Sequence, residues 1–314
     1  MKILITAELP FEIEKYLKDY ELDYNKGDQL SPKELKKRAK DADGIISMLS
    51  DKIDKELIDS CENLKIVANY AVGYNNIDVQ AASERGVAVC NTPDVLTQST
   101  AELGFSLMMA AARRISESEK FTRAKKFKGW KPDLFLGMDL HGKTLCIFGF
   151  GRIGQAVAKM ASGFNMNILY NSRSEKTQAE LLTGAKKVSF EDMIRKSDFV
   201  IITAPATPET KHKFTMQTFR QMKSSAVLVN IGRGEIVKES DLVVALQNNV
   251  IFSAGLDVYE FEPKIDEGLF KLDNVVLAPH IGSGSFATRD AMAKLCCDSV
   301  IKVFKGETPH NLVS

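Results

Sequence analysis

The chain has 314 residues, 44% hydrophobic and 26% charged, with 42 Lys and Arg against 41 Asp and Glu for a formal net charge of +1. That length exceeds one typical domain and allows two buried cores, while the balanced charge argues against a whole-molecule field for nucleic acid or an anionic membrane. Five cysteines, Cys61, Cys90, Cys146, Cys296 and Cys297, stand at neither C-x-x-C nor metal-ligand spacing, so a reducing, intracellular setting and no metal site are expected.

Residues 2–6 read as a short strand, and the sequence carries neither a signal-peptide pattern nor a long uncharged apolar run; a soluble, cytoplasmic protein is expected. A helix near 11–18, a helix over 32–40 and strands at 44–48, 65–70 and 87–90 give strand-helix alternation. From 97 to 126 the turn signals vanish, and Leu103, Leu107, Met108, Ala111 and Ile115 recur at helical spacing. This predicts one long helix with its extension, placed to cross between domains. The basic run Lys120, Arg123, Lys125, Lys126, Lys128 and Lys131 reads as a solvated helix face, with no nucleic-acid role.

Near mid-chain comes Thr144-Leu-Cys-Ile-Phe-Gly149-Phe-Gly151-Arg-Ile-Gly154. A bare G-x-G-x-x-G is weak, but this one follows an apolar strand candidate and precedes Ile153, Ala156, Val157 and Met160 at helical spacing. In such a strand-turn-helix, Gly149 permits the turn, Gly151 lets the main chain approach a pyrophosphate, and Gly154 allows close helix-strand packing. The amides opening the helix, from Arg152 and Ile153 onward, then meet the phosphate charge. A glycine turn without a ligand is the competing reading. Dinucleotide binding leads, and its central position implies a substantial domain before it.

Continuous apolar runs at 168–170, 199–203, 226–230, 252–256 and 275–277 predict a parallel sheet buried on both faces, and 286–304 a final helix. Three segments lie at or just beyond strand ends: Asn230-Ile-Gly-Arg233-Gly234, Asp257-Val-Tyr-Glu-Phe-Glu262-Pro263 and Pro279-His280-Ile-Gly-Ser283. In an open α/β sheet that edge binds ligands, so Arg233, Glu262 and His280 are expected to converge on chemistry suited to carbonyl reduction.

With these segments, and with Val72-Gly73-Tyr-Asn-Asn-Ile-Asp78, Asn91-Thr-Pro93, Ser99-Thr100-Ala-Glu102 and Trp130-Lys-Pro132, the sequence resembles the D-isomer-specific 2-hydroxyacid dehydrogenase family. Within it the match is to the glyoxylate/hydroxypyruvate reductase branch, over nearly the whole chain. The resemblance implies an α/β protein of two domains: a doubly wound Rossmann nucleotide domain, residues 99–283, inserted in a flavodoxin-like substrate domain, residues 1–98 plus 284–314. It implies NAD(P)H-dependent reduction of a small 2-keto acid, glyoxylate or hydroxypyruvate, to the D-2-hydroxy acid by a homodimer whose domains close over the substrate.

Carried over by position, His280 resembles the general acid that protonates the alkoxide as hydride arrives. Glu262 would hold its imidazolium, and is preferred to Glu260, which does not directly precede the proline. Arg233 would clamp the substrate carboxylate, with main-chain amides from Val72 and Gly73. Asp257 resembles the residue that meets the nicotinamide carboxamide, although an aspartate after a strand is also a common turn former. Thr203, Pro205, Ile231 and Gly282 would line the cofactor cleft, with Thr100 approaching from the long helix. Trp130 would reach into the partner's active site, or else be a core tryptophan. Taken singly, Arg233, Glu262 and His280 each have a plain structural reading; their joint order at three strand ends favours function. His141, His212 and His310 lack such acidic neighbours in the sequence and are expected to be structural or exposed.

In NAD-using members the second strand of the nucleotide domain ends in an acid that bonds the adenosine ribose. Here Ser172 takes that place in Ile168-Leu-Tyr-Asn171-Ser172-Arg173-Ser174. Without the carboxylate, a 2′-phosphate is not repelled, and Ser172, Arg173 and Ser174 can bond it. NADPH is the preferred cofactor; the alternative is that Arg173 points into solvent and the enzyme uses either cofactor or NADH. Two other functions stay open: reduction of another 2-keto acid (2-ketogluconate, phenylpyruvate or 3-phosphohydroxypyruvate), or a non-catalytic nucleotide-sensing interaction protein. The short tail after the last helix predicts no appended regulatory domain.

Overall fold

The computed structural model describes residues 1–314 and resolves two units, Met1–Leu96 with Ser283–Ser314, and Thr97–Gly282 inserted between them. In the first unit, short apolar runs form β1 (Lys2–Ile5), β2 (Glu21–Tyr24), β3 (Gly44–Ser47), β4 (Ile66–Asn69) and β5 (Ala88–Cys90). They pair in parallel in the order β2-β1-β3-β4-β5, the flavodoxin-like order. Ile3, Leu4, Ile45, Ile46, Ile66 and Val67 are fully buried, as central parallel strands require. The helix Pro32–Ala39 begins with a Ser31/Glu34 capping box and a proline in its first turn. The helix Phe286–Phe304 is capped by Ser285, and Tyr70 donates its hydroxyl to the Arg289 carbonyl at 2.7 Å.

The second unit contains β6 (Thr144–Phe148), β7 (Asn167–Asn171), β8 (Lys186–Lys187), β9 (Phe199–Ile202), β10 (Val227–Asn230), β11 (Ser253–Leu256) and β12 (Val275–Leu277). All pairs are parallel, in the order β12-β11-β10-β9-β6-β7-β8. Strand order reverses between β6 and β9, which makes that crevice the topological switch point of a doubly wound sheet. Successive side chains enter opposite cores. Leu145, Ile147, Ile201 and Val229 pack with Met108 and Val157 on one face, whereas Cys146, Phe148, Val200 and Leu228 pack with Ile194 and Leu242 on the other.

The expected long helix over 97–126 is instead two, Thr97–Ala112 and Ile115–Arg123. The Met138 amide donates to the Ala112 carbonyl at 2.8 Å, taking an acceptor that a continuing helix would use. Arg114 turns left-handed at φ 54° and sets its guanidinium on Glu117 through two 2.8 Å bonds. The second helix buries no side chain. The helix near 11–18 shortens to Ile13–Tyr16. Edge strands β2 and β8 carry Glu21, Asp23, Lys186 and Lys187 in place of an apolar run, so periodicity missed them. All five cysteines are free and buried, and no helix is long and apolar enough to cross a membrane.

Candidate active site

The glycine fingerprint lies where β6 meets the helix Arg152–Ser162. Gly149 adopts φ 95°, and a Cβ there would fall 2.6 Å from the Ala204 nitrogen. No side chain caps the helix at Gly151, and a Cβ at Gly151 would meet nothing within 4 Å. Helix-start amides beside that open space fit a pyrophosphate. At Gly154 a Cβ would instead lie 2.4 Å from the Gly149 oxygen, so the helix can pack this closely only without a side chain. Thr203 Oγ1 donates to that same oxygen at 2.5 Å. Ile231 is buried against Gly104, Thr100 lies over Gly282, and Pro205 and Arg152 are exposed.

Beside this loop, β7 ends at Asn171, whose carbonyl accepts the Gly149 amide at 2.9 Å. Tyr170 stacks on Phe150, and its hydroxyl accepts the Lys176 amide at 3.1 Å. Between these anchors Ser172 Oγ donates to the Ser174 carbonyl at 2.6 Å, while Arg173 and Ser174 are exposed. Glu209, held below its ordinary pKa mainly by the Thr207 hydroxyl, also senses the Arg173 charge.

At the end of β10 the buried Asn230 shapes the next turn, donating to the Arg233 carbonyl at 2.9 Å and accepting the Gly232 amide at 3.1 Å. Arg233 is half-buried; burial lowers its proton affinity, opposed by the charges of Glu262 and Glu235. It stays a guanidinium cation. After β11, the Asp257 carboxylate accepts the amides of Ile281 at 2.7 Å and Gly282 at 2.8 Å. It thereby fixes the backbone just beyond His280, which is left-handed at φ 53°. Burial pushes the Asp257 carboxyl up, more strongly than these amides and the His280 charge pull it down.

Glu262 joins two of the strand-end segments. Its Oε1 accepts the Tyr259 amide at 2.9 Å, and its Oε2 meets His280 Nδ1 at 2.7 Å. Burial pushes its carboxyl up, but the His280 bond and charge, the Tyr259 amide and Arg233 leave it below the ordinary glutamate value. The pair is thus set as carboxylate and ring N–H.

Arg233, Glu262, His280 and Asp257 are brought together in the second unit. Val72 and Gly73 follow β4 in the first, with their carbonyls held by Asn91 Nδ2 and Asn69 Nδ2, each at 2.8 Å. Trp130 is 83% exposed, which removes the core-tryptophan reading. His141 and His310 are exposed as expected. His212 is structural, as one of the two expected readings has it, but it does have an acidic neighbour: its Nε2 lies 2.5 Å from Glu260 Oε1. The two are 48 residues apart, so no local pattern revealed the contact. Asp257's grip on the residues after His280 was equally hidden, since it depends on where two strand ends fall in space.

Residues 105–282, more than half of the chain, match the model for the NAD binding domain of D-isomer specific 2-hydroxyacid dehydrogenases. A glyoxylate reductase of Pyrococcus horikoshii is 47% identical over 100% of this chain and 96% of its own. A crystal structure of a Thermus thermophilus protein superposes with a TM-score of 0.95 at 39% identity, covering both chains completely. The NADPH-dependent glyoxylate/hydroxypyruvate reductase of Sinorhizobium meliloti, solved with NADP and malonate, gives a TM-score of 0.89 at 32% identity over 100% of this chain and 96% of its own. The fold, the strand-end constellation and these similarities agree: the chain belongs to the D-isomer specific 2-hydroxyacid dehydrogenase family.

Proposed function

We propose that this enzyme reduces glyoxylate or hydroxypyruvate to the corresponding D-2-hydroxy acid. The observation that carries the reading is the Glu262–His280 contact at 2.7 Å, with the Arg233 guanidinium close enough to influence Glu262. A nicotinamide cofactor, when bound, supplies the hydride. Arg233 pairs with the substrate carboxylate and polarises the carbonyl beside it, in a planar geometry that a lysine cannot copy. Because Glu262 engages His280 Nδ1, Nε2 is the nitrogen left to give its proton to the oxygen as it becomes an alkoxide. The Glu262 carboxylate favours the imidazolium before transfer and keeps the ring oriented.

Gly149, Gly151, Arg152, Ile153 and Gly154 hold the pyrophosphate, and Thr100, Thr203, Pro205, Ile231, Asp257 and Gly282 surround the nicotinamide half. NADPH is the preferred cofactor. The absence of an acid at Ser172 and the neighbouring Arg173 support that preference, and the S. meliloti relative is named as NADPH-dependent. The protein acts as a homodimer in which Trp130 reaches the partner's active site; the exposure of Ile115, Phe127, Trp130 and Leu136 supports this.

Steady-state rates on a panel of 2-keto acids, each with NADPH and NADH, test the reading. Highest kcat/KM for glyoxylate or hydroxypyruvate with NADPH is expected. Faster reduction of a bulky keto acid, or a preference for NADH, would overturn the corresponding part. Light scattering checks the dimer.

A further inference from the structure

We propose that His212 is a positioning residue that braces the turn bearing Arg233 to the turn bearing Glu262, and so keeps Glu262 on His280. The proposal rests on the assignment of those three residues to keto-acid reduction.

His212 is left-handed at φ 50° and ends the loop that follows β9. Its backbone amide donates to the Glu235 carbonyl at 2.8 Å, and the Phe214 amide donates to the Ile236 carbonyl at 3.1 Å. These bonds stitch the loop to the 3-10 turn Gly234–Ile236, the residues directly after Arg233. The His212 ring places Nε2 2.5 Å from Glu260 Oε1. One residue therefore ties both catalytic turns, through its backbone to the first and its side chain to the second.

The second attachment is firm because Glu260 is spent on both oxygens. Its Oε2 accepts the Glu239 amide at 2.9 Å, and its side chain is only 7% exposed. Glu239, itself buried, returns the bond by accepting the Glu260 amide at 3.0 Å and the Asp266 amide at 2.6 Å. Two buried carboxylates thus wrap the backbone of the turn. Burial pushes the Glu239 carboxyl up, and the neighbouring Asp266 and Glu260 charges add to that against the bonds from the two amides. Against this negative charge, His212 supplies the side-chain donor to Glu260. Asp241 also feels the His212 charge, while Lys213 is turned onto the Phe190 ring at 4.5 Å.

Two residues beyond Glu260, Glu262 leans on the Tyr259 amide at 2.9 Å and on His280 at 2.7 Å. The turns already touch at the backbone, since a Cβ on Gly234 would lie 1.9 Å from the Tyr259 carbonyl oxygen. Freeing Glu260 allows this turn to shift, and misplacement by about 1 Å can cost up to about 100-fold in rate. The His212 side chain bonds Glu260 and not Glu262 or His280, so its effect runs through the turn that carries Glu262.

The test compares His212→Ala, Glu260→Gln, the double variant and His212→Gln with the wild type in kcat, NADPH KM, the pH profile of kcat and melting temperature. We expect kcat to fall about tenfold or more in either single variant, with NADPH KM unchanged and the alkaline limb moved to lower pH. The double variant should be no slower than the slower single, because the residues act as one unit. His212→Gln, whose amide can still donate to Glu260, should recover most of the rate. Unchanged kcat and pH profile, additive losses, or a loss that follows melting temperature with the limb unmoved would each overturn the proposal. With only four histidines in the chain, ¹⁵N NMR gives a readout independent of turnover. The ring nitrogen signals of His280 should move in His212→Ala relative to the wild type, because its contact with Glu262 is disturbed, and unmoved signals refute the brace. A wild type that reduces no keto acid would defeat the proposed function, while this NMR comparison still decides the brace.

Discussion

Phe150 and Tyr170 stack with ring centroids 4.0 Å apart and planes 14° from parallel. The contact joins the first variable position of the glycine fingerprint to the strand leading into Ser172 and Arg173. Both rings are almost wholly buried, so the two cofactor loops share one core. Phe150→Ala should cost about 3–5 kcal/mol of stability, the usual range for a buried aromatic truncation. Denaturant unfolding measures that loss, and KM should rise for NADPH and NADH alike because the shared support is disturbed.

Arg173→Ala should act on one cofactor only. A hydrogen bond to a charged group is worth about 1.5–3 kcal/mol, so kcat/KM with NADPH should fall by about tenfold or more. The value with NADH should barely change. Equal losses with both cofactors would show that Arg173 does not read the 2′-phosphate.

The reacting end separates three roles. His280→Asn should lower kcat by about 10²–10⁴-fold with NADPH affinity retained, as removal of a general acid does. Arg233→Lys keeps the charge but not the planar fork, so keto-acid KM should rise as kcat falls. Glu262→Gln removes the carboxylate that favours the imidazolium, so the alkaline limb of the reduction rate should move to lower pH. Steady-state profiles across pH distinguish these outcomes.

Asp198 offers a pH-dependent measure of stability in the nucleotide unit. Burial pushes its carboxyl up, but the Lys223 ammonium at 2.7 Å and the Thr144 amide at 2.9 Å leave it below the ordinary value. A depressed carboxyl stabilises the fold above its unfolded pKa of about 3.9, and that contribution is lost as pH falls through the folded value. Asp198→Asn should therefore cost about 1–3 kcal/mol at pH 7, with the difference from wild type closing below about pH 4. Urea titrations at several pH values provide the check.

Much of this architecture was legible because the governing signals are local. A strand buried on both faces must be apolar throughout, and the runs at β6, β9 and β10 announced it. The fingerprint was readable because each glycine answers a short-range demand. The helix break at Arg114 was not readable, since the partner that takes the Ala112 carbonyl is Met138, beyond a long loop. Nor could spacing place His212 on Glu260, or Asp257 on the amides after His280. Such contacts are made where separate strand ends converge, after the sheet has brought distant segments together.

The five buried thiols give the molecule internal reporters of its own opening. Burial pushes Cys146 in β6 up to about 12, Cys90 to about 11 and Cys297 to about 12, so almost none is thiolate at neutral pH. Alkylating reagents must therefore wait for the chain to open. Cys146 is the cysteine of the nucleotide unit, whereas Cys61, Cys90, Cys296 and Cys297 belong to the other. Modification timed by peptide mass would record the opening of each unit separately, in one unlabelled sample of the native chain.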